Sequence, residues 1–278
     1  MELDLLLDIG NTRSKWISTQ TNTLDSLTIF QEGIINNSEL KEQILEQFKP
    51  TFISNQQQVI KNIYCTCVGQ PELLKIWQDH FPKSNFYRLT GDTLIPAFHN
   101  QYQYPLELGT DRLAGMFGAK TYYPNKNILI VASGTATTID YLHGGSIFKG
   151  GWIIPGLDLM LQSLGKSTAN LPTLDAHLLL IKSSKAPSSS SQLTAEVNLG
   201  KSTKDAIGTG VILSTIGAIQ LALTQIKEVE IILLTGGNAP LLESYLLPIT
   251  KGYEIKIEPN LILIGINSWR LNKMESCL

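Results

Sequence analysis

Two stretches far apart in the chain follow one plan. LLLDIGNTRSKWIS (5–18) and LIVASGTATTIDYL (129–142) each begin as an apolar strand and reach a glycine just past its end, Gly10 or Gly134. Each then passes small hydroxyl or amide residues and resumes as a second strand. A duplicated strand–turn–strand start predicts two domains of one fold, with the two glycine turns facing each other across a cleft. The 278 residues suit two domains of about 130 residues each.

The rest of the chain reads as α/β. Strands are expected near 3–8, 14–19, 27–33 and 62–68. A helix near 38–48 has Asn37 or Ser38 as its cap, and Pro71 opens another in a tolerated first-turn position. Helices near 156–165 and 204–226, a strand at 230–235 and a strand–helix–strand finish complete the second half. SSKAPSSSSQ (183–192) is the only low-complexity piece and reads as an exposed loop.

Composition narrows the function. Hydrophobic residues make up 43% and charged residues 17%, enough for buried cores and against disorder. A net charge of −2 without a basic cluster argues against nucleic acid as a partner. The sequence shows no secretory leader, and no apolar run reads as long enough to span a bilayer. The expected compartment is cytoplasmic. Cys65 and Cys67 read as buried strand thiols, Cys277 stands apart, and His80, His99, His143 and His177 lack metal-ligand spacing.

Three glycine sites and one helix start carry the chemistry. In DIGNT, Gly10 leaves backbone N–H groups uncovered for phosphate oxygens, and Asp8 is placed to hold Mg²⁺; an ordinary hairpin turn reads equally well. SGTATT offers neutral donors at Thr135, Thr137 and Thr138. Neither turn is a Walker or Rossmann loop, because each joins strand to strand. Thr235-Gly236-Gly237 joins a strand to a helix and suits close approach of a nucleoside or a plain connection. In LGTDR, Thr110 can cap a helix with Asp111 stabilised near its N-terminus; a site for chemistry and a capping carboxylate with Arg112 as a surface partner read equally well. Ala114, Gly115, Gly118 and Ala119 make a smooth face for another helix.

In order along the chain, these motifs resemble the type III pantothenate kinases of the actin–sugar kinase–Hsp70 superfamily. DIGNT (8–12) resembles the first phosphate loop and YQYPLELGTDR (102–112) the motif YxxPxxLGxDR. SGTATTID (133–140) resembles the second phosphate loop and GGWIIPG (150–156) the motif GGxIxPG, while TANLP (168–172) and TGG (235–237) follow in place. The resemblance implies two ribonuclease-H-like (actin-like ATPase) domains, 1–115 and 116–278, with the active site in an interdomain cleft. It implies ATP-dependent phosphorylation of pantothenate, the first step of coenzyme A biosynthesis. Asp8, Ile9, Gly10, Asn11, Thr12, Arg13, Ser14 and Lys15 would line the phosphate site, Asp8 nearest Mg²⁺. Gly134, Thr135, Gly236 and Gly237 would also contact ATP. Tyr102, Gly109, Thr110, Asp111 and Arg112 would contact pantothenate, with Asp111 as catalytic base. Thr203 would complete that pocket, in the family from a neighbouring subunit, which implies a homodimer.

Two positions depart from the family. Its aspartate two residues before the second-loop glycine, implicated in holding K⁺ or NH₄⁺, is Ala132, which puts that cation in question. The asparagine before the Thr of its NT motif is Ser202, which keeps a hydroxyl. A non-catalytic regulator of the Bvg accessory factor type, or another small-molecule kinase of the superfamily, are the rival readings.

Overall fold

The computed structural model describes residues 2–21, 27–48, 52–53, 56–57, 59–167, 171–174 and 199–275. The Ser-rich stretch, TAN of TANLP, His177 and Cys277 lie outside them. Two compact units are formed: unit 1 is 1–125, 145–148 and 260–278, and unit 2 is 126–144 and 149–259. These bounds differ from a division at 115, which falls inside a helix, and the closing helix returns to unit 1.

Unit 1 is built on five strands. β1 (Glu2–Ile9) pairs antiparallel with β2 (Arg13–Gln20), which pairs antiparallel with β3 (Ile29–Asn36). Helix α1 (Leu40–Gln47) and a two-residue pair, β4 (Phe52–Ile53) with β5 (Gln56–Gln57), follow. β6 (Val59–Cys67) then lies parallel to β1, helix α2 (Pro71–His80) follows, and β7 (Asn85–Arg88) lies parallel to β6. The sheet order is β3-β2-β1-β6-β7. β8 (His99–Asn100) and helix α3 (Thr110–Tyr122) complete this part.

Unit 2 repeats the order. β9 (Ile128–Ser133) pairs antiparallel with β10 (Ala136–His143), whose other neighbour is β11 (Ile147–Pro155). Helices α4 (Leu157–Ser167) and α5 (Thr203–Gln225) precede β12 (Ile231–Thr235), parallel to β9. Helix α6 (Ala239–Leu246) leads to β13 (Glu254–Ile257), parallel to β12. The order β11-β10-β9-β12-β13 matches unit 1 strand for strand. Two units of one plan were expected from the duplicated turns, and their topology is the ribonuclease-H-like fold that the resemblance implies. The first residues of β11, Ile147 and Phe148, belong to unit 1 and pair there with β8.

The period-two alternation of β1 decides what each face of its sheet carries. Leu5, Leu7 and Ile9 enter a core with Ile44 of α1 and Trp77 of α2. The opposite face holds Asp4 and Asp8, and α7 (Leu261–Glu275) packs on β1 and β6. The chain thus finishes on a helix, not the expected strand. LILIGI reads locally as strand, but Gly265 lets α7 close on the backbone of Ala114 in α3, and Gly118 meets Leu261 in the same way. The smooth face of α3 is therefore real, although Gly115 does not take part.

The 23-residue α5 corrects another expectation, because it is apolar and long enough to cross a membrane by length and composition. Half of its most apolar window is buried, and Ile212, Ile216 and Ile219 pack with Leu129 and Leu234 in the core of unit 2. Cys65 and Cys67 are buried free thiols, as expected.

Unit 1 encloses one ion pair. Arg270 Nε donates to Asp4 Oδ2 at 2.7 Å, both side chains 1% exposed. Arg270 also donates to the Gln20 carbonyl, while Thr21 and Asn62 donate to Asp4 Oδ1. Arg270→Ala leaves that carboxylate buried without its cation, so urea unfolding is expected to show a loss of about 3–5 kcal/mol.

Candidate active site

Asp8 sits near the end of β1, 8% exposed. Its cross-strand neighbours are Lys15 on β2 and Thr66 on β6. Thr66 Oγ1 donates to Asp8 Oδ1 at 2.8 Å. Burial pushes the Asp8 carboxyl up to about 6, and the negative charge of Asp111 adds to this against the opposing pull of Thr66 and Lys15. A carboxylate this poorly compensated, at a strand end beside a glycine turn, fits a hard cation with oxygen ligands such as Mg²⁺.

The turn after β1 closes through Gly10 N–H to the Arg13 carbonyl. Asn11, Thr12 and Arg13 are exposed, Ser14 is buried, and Ile9 belongs to the core. Asn37 straps this turn. Its Nδ2 donates to the Gly10 carbonyl at 2.9 Å and the Asn11 carbonyl, its N–H donates to the Thr12 carbonyl, and its Oδ1 accepts from Ser14 Oγ. Asn37 is therefore no helix cap: a short 3-10 turn (Asn37–Glu39) precedes α1, and neither has a side-chain cap. Gly69, just past β6, lies on Gly10, where a Cβ would stand 2.5 Å from the Gly10 carbonyl oxygen.

Helix α3 presents the second carboxylate. Its N-cap is Gly109, and Thr110 makes no capping bond. Instead Thr110 Oγ1 accepts from the Cys67 N–H at the end of β6. Asp111 Oδ1 accepts from the Arg112 N–H at 2.8 Å, yet burial holds its carboxyl above the usual carboxylate range. Arg112 is not a surface partner: it is 8% exposed. It donates to the Tyr102 hydroxyl at 2.8 Å and lies 5.5 and 5.7 Å from the ring centres of Tyr102 and Phe148.

Unit 2 carries the other glycine sites. Gly134 N–H donates to the Ala136 carbonyl, and Gly134 and Thr135 are exposed. The Thr135 carbonyl accepts from the Gly156 N–H, and a Cβ at Gly156 would collide with the Gly134 carbonyl, which explains the last glycine of GGWIIPG. Gly236, at φ +90°, lies on the Ser133 backbone, whereas Gly237 has open space around it. Thr203 is the exposed first residue of α5, which Ser202 caps by accepting from the Asp205 N–H.

Unit 1 thus gathers Asp8, the 9–15 turn, Tyr102 and 109–112, and unit 2 gathers 134, 135, 236 and 237. The sequence reading missed Asn37 as a strap, Thr66, Gly69 and Phe148. A glycine followed by proline after a strand marks both Gly69 and the 236–240 connection, and that recurrence is a usable signal. Among the described residues no three His, Cys, Asp or Glu side chains form a metal cluster.

Twofold use of one topology, with an acidic strand end beside a phosphate-shaped turn, defines a protein of the actin-like ATPase and sugar kinase superfamily. The family described as Type III pantothenate kinase matches residues 4–225. A type III pantothenate kinase of Herminiimonas arsenicoxydans is 32% identical, the match covering 98% of this chain and 99% of the relative. One of Azoarcus sp. is 30% identical, over 94% and 88%. The chain belongs to the type III pantothenate kinase family. Component A of the (R)-2-hydroxyglutaryl-CoA dehydratase of Acidaminococcus fermentans shares the fold, with a TM-score of 0.53 at 15% identity, over 99% and 100% of the two chains.

The raised Asp8 carboxyl has a measurable consequence. Its folded value, about 6, lies above its ordinary 3.8. Asp8 therefore contributes stability below about pH 4 that is lost as pH rises through about 6. In metal-free protein, Asp8→Asn is expected to gain on wild type across that window, by up to about 3 kcal/mol. Urea melts of both at pH 4 and pH 7 check this; a constant difference would contradict it.

Proposed function

We propose that the chain transfers the γ-phosphoryl group of ATP to the primary hydroxyl of pantothenate, the first step towards coenzyme A. The observation that carries this reading is the pair Asp8 and Asp111, on adjoining elements of unit 1, with each carboxyl raised by burial. The backbone N–H groups of the Gly10 turn, with Asn11, Thr12 and Lys15, would bind phosphate oxygens, and Asp8 would hold Mg²⁺. When bound, Mg²⁺ neutralises charge on the transferring phosphates. Arg112, fixed by Tyr102 and Phe148, pairs with the pantothenate carboxylate. Asp111 accepts the hydroxyl proton as the oxygen attacks phosphorus and ADP departs. Gly134, Thr135, Gly236 and Gly237, all of unit 2, are the further residues proposed to contact ATP. Positioning supplies most of the acceleration.

A cytoplasmic homodimer, with Thr203 of one copy completing the pantothenate site of the other, belongs to the same reading. The regulator reading gives no account of two raised carboxyls beside a phosphate-shaped turn. The decisive test adds Mg-ATP to purified protein with and without pantothenate. ATP consumption that ignores pantothenate, or none with it, refutes the proposal.

Asp111→Asn keeps size and shape while removing the proton acceptor. Turnover is expected to fall about 10²–10⁴-fold with nucleotide binding retained. Turnover within about threefold of wild type removes Asp111 from the base role.

The residues of the second loop do not fit a carboxylate-held monovalent cation. Ala132 has no ligand atom, and its cross-strand partner Thr138 offers one buried hydroxyl with no hydrogen-bond partner among the described residues. Neutral oxygens hold K⁺ only weakly unless several converge. Wild-type turnover is expected to show little dependence on K⁺ or NH₄⁺ at constant ionic strength, and Ala132→Asp to gain one. Strict, saturable K⁺ dependence in wild type contradicts this.

A further inference from the structure

The end of β6 touches both carboxylate-bearing elements of unit 1. Thr66 Oγ1 donates to Asp8 Oδ1, and the N–H of the next residue, Cys67, donates to Thr110 at the start of the helix that carries Asp111. Thr66 is fully buried, and it is the only hydrogen-bond donor to the Asp8 carboxylate among the described residues. Its neighbours Cys65 and Cys67 enter the apolar core, so alternation places Thr66 on the opposite face, with Asp8. The strand ladder needs only the backbone of Thr66, because β1 and β6 are paired through it in any case. Valine has the same shape and would pack there. A hydroxyl at this position serves the carboxylate and not the strand.

The geometry points to Thr66 as a positioning residue: its hydroxyl engages one oxygen of Asp8 and fixes the carboxylate's rotation, so that the other oxygen would be left to a bound cation. This rests on the reading of Asp8 as the metal-holding group. Partners that orient a metal-binding carboxylate are generally worth about 10–100-fold in metal affinity or activity. The neighbouring Cys67 N–H makes the same strand end the support of Asp111, so the two acidic groups share one frame.

The experiment compares wild type with Thr66→Val, Thr66→Ser and Asp8→Asn. Mn²⁺ binding in the presence of a non-hydrolysable ATP analogue is followed by electron paramagnetic resonance, beside kcat, the KM for pantothenate and the thermal midpoint. Thr66→Val is expected to weaken Mn²⁺ binding and lower kcat by about tenfold or more, leaving the pantothenate KM within about twofold. Thr66→Ser, which keeps the hydroxyl, is expected to restore both, and Asp8→Asn to lose Mn²⁺ binding. Wild-type Mn²⁺ affinity in Thr66→Val while Asp8→Asn fails to bind overturns this inference alone. Mn²⁺ binding retained in Asp8→Asn overturns the underlying reading of Asp8. A serine variant no better than valine shows that shape and not the hydroxyl matters, and also overturns it. Should Thr66→Val not fold, Thr66→Ala gives the same Mn²⁺ comparison, and unchanged affinity there is equally fatal.

Discussion

Both units depend on a backbone laid against a backbone. In each, a glycine just past the strand parallel to the first strand rests on backbone at the end of that first strand. In unit 1 this is Gly69 against Gly10, and in unit 2 Gly236 against Ser133. A side chain at either position would force the two connections apart. Close contact from behind holds each connection in shape, and a tight glycine turn of this kind suits an anion. The shape of the turns is thus a consequence of how β6 meets β1 and β12 meets β9, and it is built twice.

Within unit 1 the same strand carries two buried acids with opposite fates. Asp4 receives a guanidinium and two further hydrogen bonds, from Thr21 and Asn62. Asp8, four residues on and on the same face, receives a single hydroxyl, from Thr66. A fully compensated carboxylate ties the closing helix to the sheet and has nothing left to offer a ligand. An undercompensated one is costly to keep ionised, and a cation relieves that cost. The number of partners separates the tethering acid from the undercompensated one, and that number is set by residues distant in sequence.

That contrast explains what was legible. The glycine turns, the duplicated plan and the ends of most strands and helices follow from local rules, since turn chemistry and period-two alternation act over a few residues. Asn37 and Thr110 were misread because both look like helix caps at short range, yet each spends its side chain on a partner elsewhere in the chain: Asn37 on the turn 26 and 27 residues earlier, Thr110 on a strand 43 residues earlier. The expected closing strand is instead a helix, because the small face of α3 rewards a helix with glycine at position 265. Whether Arg112 lay on the surface was left open by the sequence, because its aromatic neighbours, Tyr102 and Phe148, come from two separate segments. In each case a contact distant in sequence outweighed a local preference.

The duplication also exposes an asymmetry of charge. Asp8 stands two residues before Gly10, and Ala132 stands two residues before Gly134. Their cross-strand partners differ in step: Lys15 faces Asp8, and Thr138 faces Ala132. The first turn keeps an acid and a base across the ladder; the second keeps neither. A lysine opposite Asp8 offsets part of that carboxylate's negative charge, whereas no side-chain charge at position 132 asks for an offset from Thr138. With a neutral pair, the ladder beside the second turn carries a methyl group and a hydroxyl where the first carries a carboxylate and an ammonium. The two turns therefore share a backbone plan and differ in charge, because the plan is set by glycine contacts that make no demand on these side chains.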